Sequence, residues 1–120
     1  MTEVPLRVLV ADGERFFREA IAEALREAGI ACAEVETAAE ALRLAAREPL
    51  TAAVLVDLAL ENGPELVQRL RREQPKVRVT ALATATDQDR VLEALRAGAF
   101  DYLAKPLHDE ELVLAVRRAL

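Results

Sequence analysis

Residues 52–57 read AAVLVD, five apolar side chains in a row that close on a carboxylate. The run is too short for a helix and shows no apolar–polar alternation. Such a segment reads as a strand buried on both faces, as found in the middle of a parallel sheet. Asp57 is then a charge carried to the carboxyl end of the sheet by a strand with no other polar group.

The segments on either side repeat the pattern. LRVLVA (6–11), ACAEV (31–35), VRVTALA (77–83) and FDYLA (100–104) are four further strands. Between them lie helical periodicities. Phe17, Ile21, Leu25 and Ala28 share one face of a first helix, and Gly29 stops it. Thr37 with Glu40 forms a capping box for a second helix, which Pro49 ends. Pro64 suits the first turn of a third, carrying Leu66, Val67 and Leu70. Asp87 caps a fourth that Gly98 terminates. A fifth, from about Asp109, buries Leu112, Val116 and Leu120. Five strands alternating with five helices predict a doubly wound α/β domain, with a parallel sheet in the order 2-1-3-4-5 and helices on both faces. Repeats, low-complexity stretches and linkers are absent from the sequence, so residues 1–120 read as a single domain.

Composition narrows the function. With 52% hydrophobic and 31% charged residues in 120, the chain can bury a substantial core. Its net charge of −5 argues against nucleic-acid binding by this domain, which normally shows a basic stripe. No apolar run reaches the ~18 residues of a membrane span. The start, MTEVPLRV, lacks the features of a signal peptide. The lone Cys32 excludes an internal disulfide. A cytoplasmic location without membrane contact is the expectation.

In doubly wound sheets ligands bind beyond the carboxyl ends of the strands, where strand order reverses. Asp12 ends the first strand, Asp57 the third and Lys105 the fifth. In the order 2-1-3-4-5, Asp12 and Asp57 share one crevice. Two carboxylates suit a hard cation such as Mg²⁺. A lysine beside them offsets their repulsion and can hold a phosphoryl oxygen, and a carboxylate so flanked can act as a nucleophile toward phosphorus. Plainer readings exist for each: Asp12 as a helix cap, Asp57 as a structural acid, Lys105 as a solvated loop residue. His108 reads as a weak helix cap and Cys32 as a small core residue.

These residues sit in familiar surroundings. RVLVAD followed by FREAI, AAVLVDL around Asp57, and above all ALRAGAFDYLAKPL (94–107) resemble the receiver domain of two-component response regulators. The resemblance implies that Asp57 accepts phosphate from a histidine kinase or phosphotransfer protein with Mg²⁺ bound, and that Lys105 contacts the phosphoryl group. It implies a cis Lys105–Pro106 bond. It further implies that Tyr102 swings as the signal passes to the face built by the fourth helix, fifth strand and fifth helix, where an effector domain, a partner protein or a second copy in a homodimer would bind. A signalling module rather than an enzyme is expected.

Three departures from the family pattern are visible. Receivers usually carry two consecutive acids after the first strand, but Gly13 stands at the second, and Glu14 is the nearest acid beyond it. The Thr or Ser that meets the phosphoryl oxygen at the end of the fourth strand is replaced by Ala83, with Thr84 facing the other way. The loop DLALENGPEL (57–66) is shorter than usual and lacks its customary proline. The backbone carbonyl of Ala59 would be a further metal ligand. The departures imply impaired phosphorylation with weak or absent Mg²⁺. A pseudo-receiver working as a phosphate-independent interaction module is the alternative. An FMN-binding flavodoxin is more remote, because DGERF (12–16) offers two acids where FMN needs a hydroxyl-rich phosphate loop. A hydrolase has no support, since the single histidine leaves no Ser-His or Cys-His pair apparent. Of the paired aromatics, Phe17 is expected in the core and Phe16 at the helix edge near the crevice.

Overall fold

The computed structural model describes residues 8–47 and 51–120. Among the described residues, five strands alternate with five helices: β1 (Val8–Ala11), α1 (Arg15–Glu27), β2 (Cys32–Val35), α2 (Ala38–Ala45), β3 (Ala53–Asp57), α3 (Gly63–Glu73), β4 (Arg78–Thr84), α4 (Gln88–Arg96), β5 (Asp101–Lys105) and α5 (Asp109–Ala119). The sheet order is β2-β1-β3-β4-β5, with all four pairings parallel. The expected doubly wound fold is the observed one. The Leu6 and Arg7 ends of the first strand, and Pro49, lie outside the described residues.

Alternation along the strands splits the core in two. Leu9 and Ala11 of β1 join Val54, Val56, Leu66 and Leu70 on the side of α2, α3 and α4. Val8 and Val10 join Ile21, Leu25, Leu112 and Val116 on the side of α1 and α5. β3, in the middle, is buried at all five positions, as its unbroken apolar run requires.

Local signals act largely as expected. Thr37 Oγ1 accepts from Glu40 N at 3.2 Å, capping α2. Gly29 and Gly98 adopt left-handed backbone (φ 81° and 106°) after α1 and α4, a conformation costly for residues with a Cβ. Other expectations shift. Asp87 sits at the N-cap of α4 but makes no capping bond there; its carboxylate meets Arg90 instead at 3.3 Å. His108 occupies the N-cap of α5, also without a side-chain cap. α5 buries Leu112, Ala115, Val116 and Ala119. That i, i+3, i+4, i+7 stripe leaves Leu120 exposed rather than buried. β1 stops at Ala11, so Asp12 follows its strand, whereas Asp57 and Lys105 end β3 and β5 as expected.

Candidate functional site

The parallel topology brings Asp12, Asp57, Thr84 and Lys105 to one end of the sheet. β1 and β3 are neighbours, and the helices that follow them pack on opposite faces, which opens a crevice between their ends. It is a cleft of about 220 Å³ lined by Glu14, Phe17, Asp57, Ala59, Ala83, Thr84, Asp87, Lys105 and Pro106.

Asp12 is fully buried behind that cleft. Its Oδ1 accepts from Glu14 N at 2.9 Å, and its Oδ2 accepts from Lys105 Nζ at 2.8 Å. Asp12 therefore serves both as a local turn acid and as the lysine's partner. Lys105 Nζ also lies 3.6 Å from Asp57 Oδ2, and 4.5 Å from the centre of the Phe17 ring. Asp57 Oδ1 accepts from Ala59 N at 3.1 Å. Burial pushes the Asp57 carboxyl up from its ordinary 3.8 to about 6, and the Asp12 charge adds to the rise. The Ala59 amide and the Lys105 ammonium pull the other way without cancelling it.

Every sequence-derived site residue can now be located. Asp57, Lys105 and Asp12 converge. Ala59 lines the cleft and bonds Asp57 through its amide. Gly13 is exposed, and a Cβ placed on it would meet only Leu60 Cδ2, at an ordinary 3.5 Å. Ala83 is buried at the cleft and shares the face of Ala81 and Val79. Thr84 pairs in register with Lys105; it too lines the cleft, and its hydroxyl lies 3.3 Å from that of Thr86. Tyr102 points outward, 40% exposed. The Lys105–Pro106 bond is cis. In the shortened loop, Asn62 takes a left-handed conformation (φ 62°). Gly63 there comes so close to Leu58 that a Cβ would lie 2.6 Å from its carbonyl oxygen.

These residues do not form a ready cage for Mg²⁺. Both Asp12 oxygens are engaged by protein donors, position 13 offers no ligand, and one Asp57 oxygen accepts from Ala59. Among the described residues, no group of three His, Cys, Asp or Glu side chains could hold a metal ion. Glu14 and Asp87 also line the cleft, although neither belongs to such a group.

Sequence reasoning missed several participants. Phe17 is half-buried against Lys105 rather than set deep in the core; Phe16, at 79% exposure, is at the surface as expected. Arg18 is buried. It donates to the Asp12 carbonyl oxygen at 3.0 Å and faces Glu34 at 3.4 Å and Glu36 at 3.5 Å. It thereby ties the ends of β1 and β2 together behind the cleft. Glu34 and Glu36, carried in from β2 and just beyond it, are the signal, and one that local periodicity does not contain. Asp87 lines the cleft where only a helix cap was expected.

The comparisons with known proteins agree with this geometry. The family model described as the response regulator receiver domain matches residues 8–117. The DNA-binding transcriptional regulator NtrC of Escherichia coli K12 is 32% identical over 114 residues, covering 94% of this chain and 24% of that protein. The phosphate regulon transcriptional regulatory protein PhoB of Pseudomonas aeruginosa is 34% identical over 118 residues, covering 94% of this chain and 51% of that protein. The chain thus spans only about a quarter to about half of these relatives. Among solved structures, the receiver domain of NtrX from Brucella abortus matches with a TM-score of 0.88 at 26% identity, over 94% of this chain and 97% of that one. A response regulator from Thermotoga maritima matches with a TM-score of 0.84 at 29% identity, over 97% and 98%. A match spanning nearly all of β1 to α5, on a sheet that gathers Asp12, Asp57 and Lys105 at one end, leaves the flavodoxin alternative without a role, and the chain belongs to the response regulator receiver domain family.

Proposed function

We propose that the chain, taken as one receiver domain over residues 1–120, accepts a phosphoryl group on Asp57 from the phosphohistidine of a histidine kinase or phosphotransfer protein. It does so slowly and with little help from Mg²⁺. The observation that supports this best is the buried Asp57 carboxylate at the end of β3 with Lys105 Nζ 3.6 Å away. An Asp57 oxygen attacks phosphorus, the phosphorus–nitrogen bond of the donor breaks, and the imidazole leaves with a proton. Lys105 offsets the charge gathering on the phosphoryl oxygens. In receivers that bind Mg²⁺, the ion supplies further charge neutralisation there; here Gly13 removes one of its ligands.

The output is a change in protein contacts at the α4–β5–α5 face, where Tyr102, Leu95 and Leu114 are exposed. That face would take an effector domain, a partner protein or a second copy of the chain. The domain works in the cytoplasm as a signalling module, binding neither nucleic acid nor membrane itself. Among the described residues, no helix is long and apolar enough to cross a membrane.

A second reading is favoured by two specific observations. Lys105 is already committed to Asp12 at 2.8 Å, and Ala83 leaves no hydroxyl at the usual position. On that reading the domain holds one conformation and binds partners without phosphate. Incubation with acetyl phosphate, with and without Mg²⁺, separates the two by intact mass. Slow uptake that is lost in Asp57→Asn supports the acceptor; no uptake supports the phosphate-independent module.

A further inference from the structure

Among the described residues, Phe17 is the one aromatic side chain lining the crevice, and its ring faces the lysine. The Lys105 side chain is only 8% exposed. Its ammonium meets Asp12 Oδ2 at 2.8 Å, Asp57 Oδ2 at 3.6 Å and the Phe17 ring centre at 4.5 Å. A lysine head on a flexible four-carbon stem has no geometry of its own. Here two carboxylates attract it and a π face closes a further side. Because the ammonium is poorly hydrated in this position, the contact belongs to the stronger range of cation–π interactions. The ring itself is held edge-on by Phe16, with centroids 6.0 Å apart at 85°.

We propose that Phe17 is a positioning residue for Lys105: its ring face keeps the ammonium beside Asp57 instead of letting it withdraw wholly onto Asp12. A leucine at this place would fill much of the space but offer no π face. A tyrosine would keep the face. The role therefore depends on the ring's electrons as well as its volume, and it rests on Lys105 serving an acceptor at Asp57.

The chain holds only two lysines, Lys76 and Lys105, so lysine-selective ¹³C labelling gives an exposed internal reference beside the residue of interest. In the wild type, the Lys105 ε-methylene protons are expected upfield of those of Lys76 through the ring current of Phe17. Phe17→Leu should remove that displacement and slow the labelling of Asp57 by acetyl phosphate by about 30-fold, the strength of a desolvated cation–π contact. Phe17→Tyr should keep the displacement and most of the rate. Coincident Lys76 and Lys105 signals in the wild type would overturn the inference, as would equal rates in the Leu and Tyr variants. If the wild type takes up no phosphoryl group, the acceptor reading fails; the lysine shifts then decide the Phe17–Lys105 contact by themselves.

Discussion

The residues at the crevice fall into two groups built to different standards. On one side Asp57, Lys105 and Asp12 come from the ends of separate strands or just beyond them, with Lys105 bonded to Asp12 at 2.8 Å and an ion-pair distance of 3.6 Å from Asp57. On the other, Gly13 and Ala83 offer a hydrogen atom and a methyl group where the family has an acid and a hydroxyl. If the proposed function holds, the intact side attracts and holds a phosphoryl group. The stripped side lacks what would neutralise that group's charge and report its arrival. On the proposed reading, one fold retains the nucleophile while losing much of the apparatus that makes it fast and makes it matter.

The largest effect is expected from the intact side, and on stability rather than activity. A carboxyl raised to about 6 from 3.8 is protonated in both folded and unfolded chains below about pH 3.8, and there it costs nothing. Between those values the folded chain holds its proton longer, and above about 6 the full penalty of a buried charge applies. Discounted for the solvent that still reaches the group, that penalty is on the order of 2 kcal/mol. Asp57→Asn should therefore stabilise the domain by on the order of 2 kcal/mol at pH 7, with the gain shrinking to nothing near pH 4. Urea unfolding of both proteins at several pH values checks this. A pH-independent difference would mean that Asp57 is not strained by burial.

Next comes the metal. Gly13→Asp adds a charge and a ligand, and the site has room for its Cβ beside Leu60. Mg²⁺ affinity should rise roughly a hundredfold, since ligand charge count sets such affinities. Without Mg²⁺ the same change should lower stability, because a third acid joins two already in repulsion. Calorimetric titration and melting, each with and without Mg²⁺, test both halves of the expectation.

The smallest effect is expected at β4. Ala83→Thr supplies one hydrogen bond to a charged group, roughly 1.5 kcal/mol or about tenfold in the stability of the phosphorylated form. It should also couple that form to Tyr102, which lies on the neighbouring strand in register with Ala81. Because positions 13 and 83 serve one phosphoryl site, their effects should not add. Tyr102 ring mobility by NMR across the wild type, both single variants and the double gives the coupling.

Much of this contrast was legible in the sequence, for a definite reason. The fold could be read because each strand is a short apolar run and each helix carries its own periodicity, so the information is local. Asp57 and Lys105 could be read because they interrupt such patterns at their ends. Arg18 could not: an arginine early in a helix reads as solvated, and what buries it are Glu34 and Glu36 from beyond the next loop. Phe17 was assigned by periodicity to the core, whereas the lysine it faces is 88 positions away in sequence (105 − 17). Leu120 was misread for a smaller reason: one residue's rotation at the end of α5 exchanges it with Ala119. Local patterns thus gave the elements, and contacts between distant elements were what they could not contain.

The claim that one side of the crevice works while the other is stripped is tested most directly by phosphoryl uptake. The wild type, Asp57→Asn and Gly13→Asp proteins are incubated with acetyl phosphate, with and without Mg²⁺, and followed by intact mass over time. The account predicts slow uptake by the wild type that Mg²⁺ hardly accelerates, none by Asp57→Asn, and fast Mg²⁺-dependent uptake by Gly13→Asp. Rapid, complete labelling of the wild type that requires Mg²⁺ would contradict it, because the site would then bind its metal well without an acid at position 13.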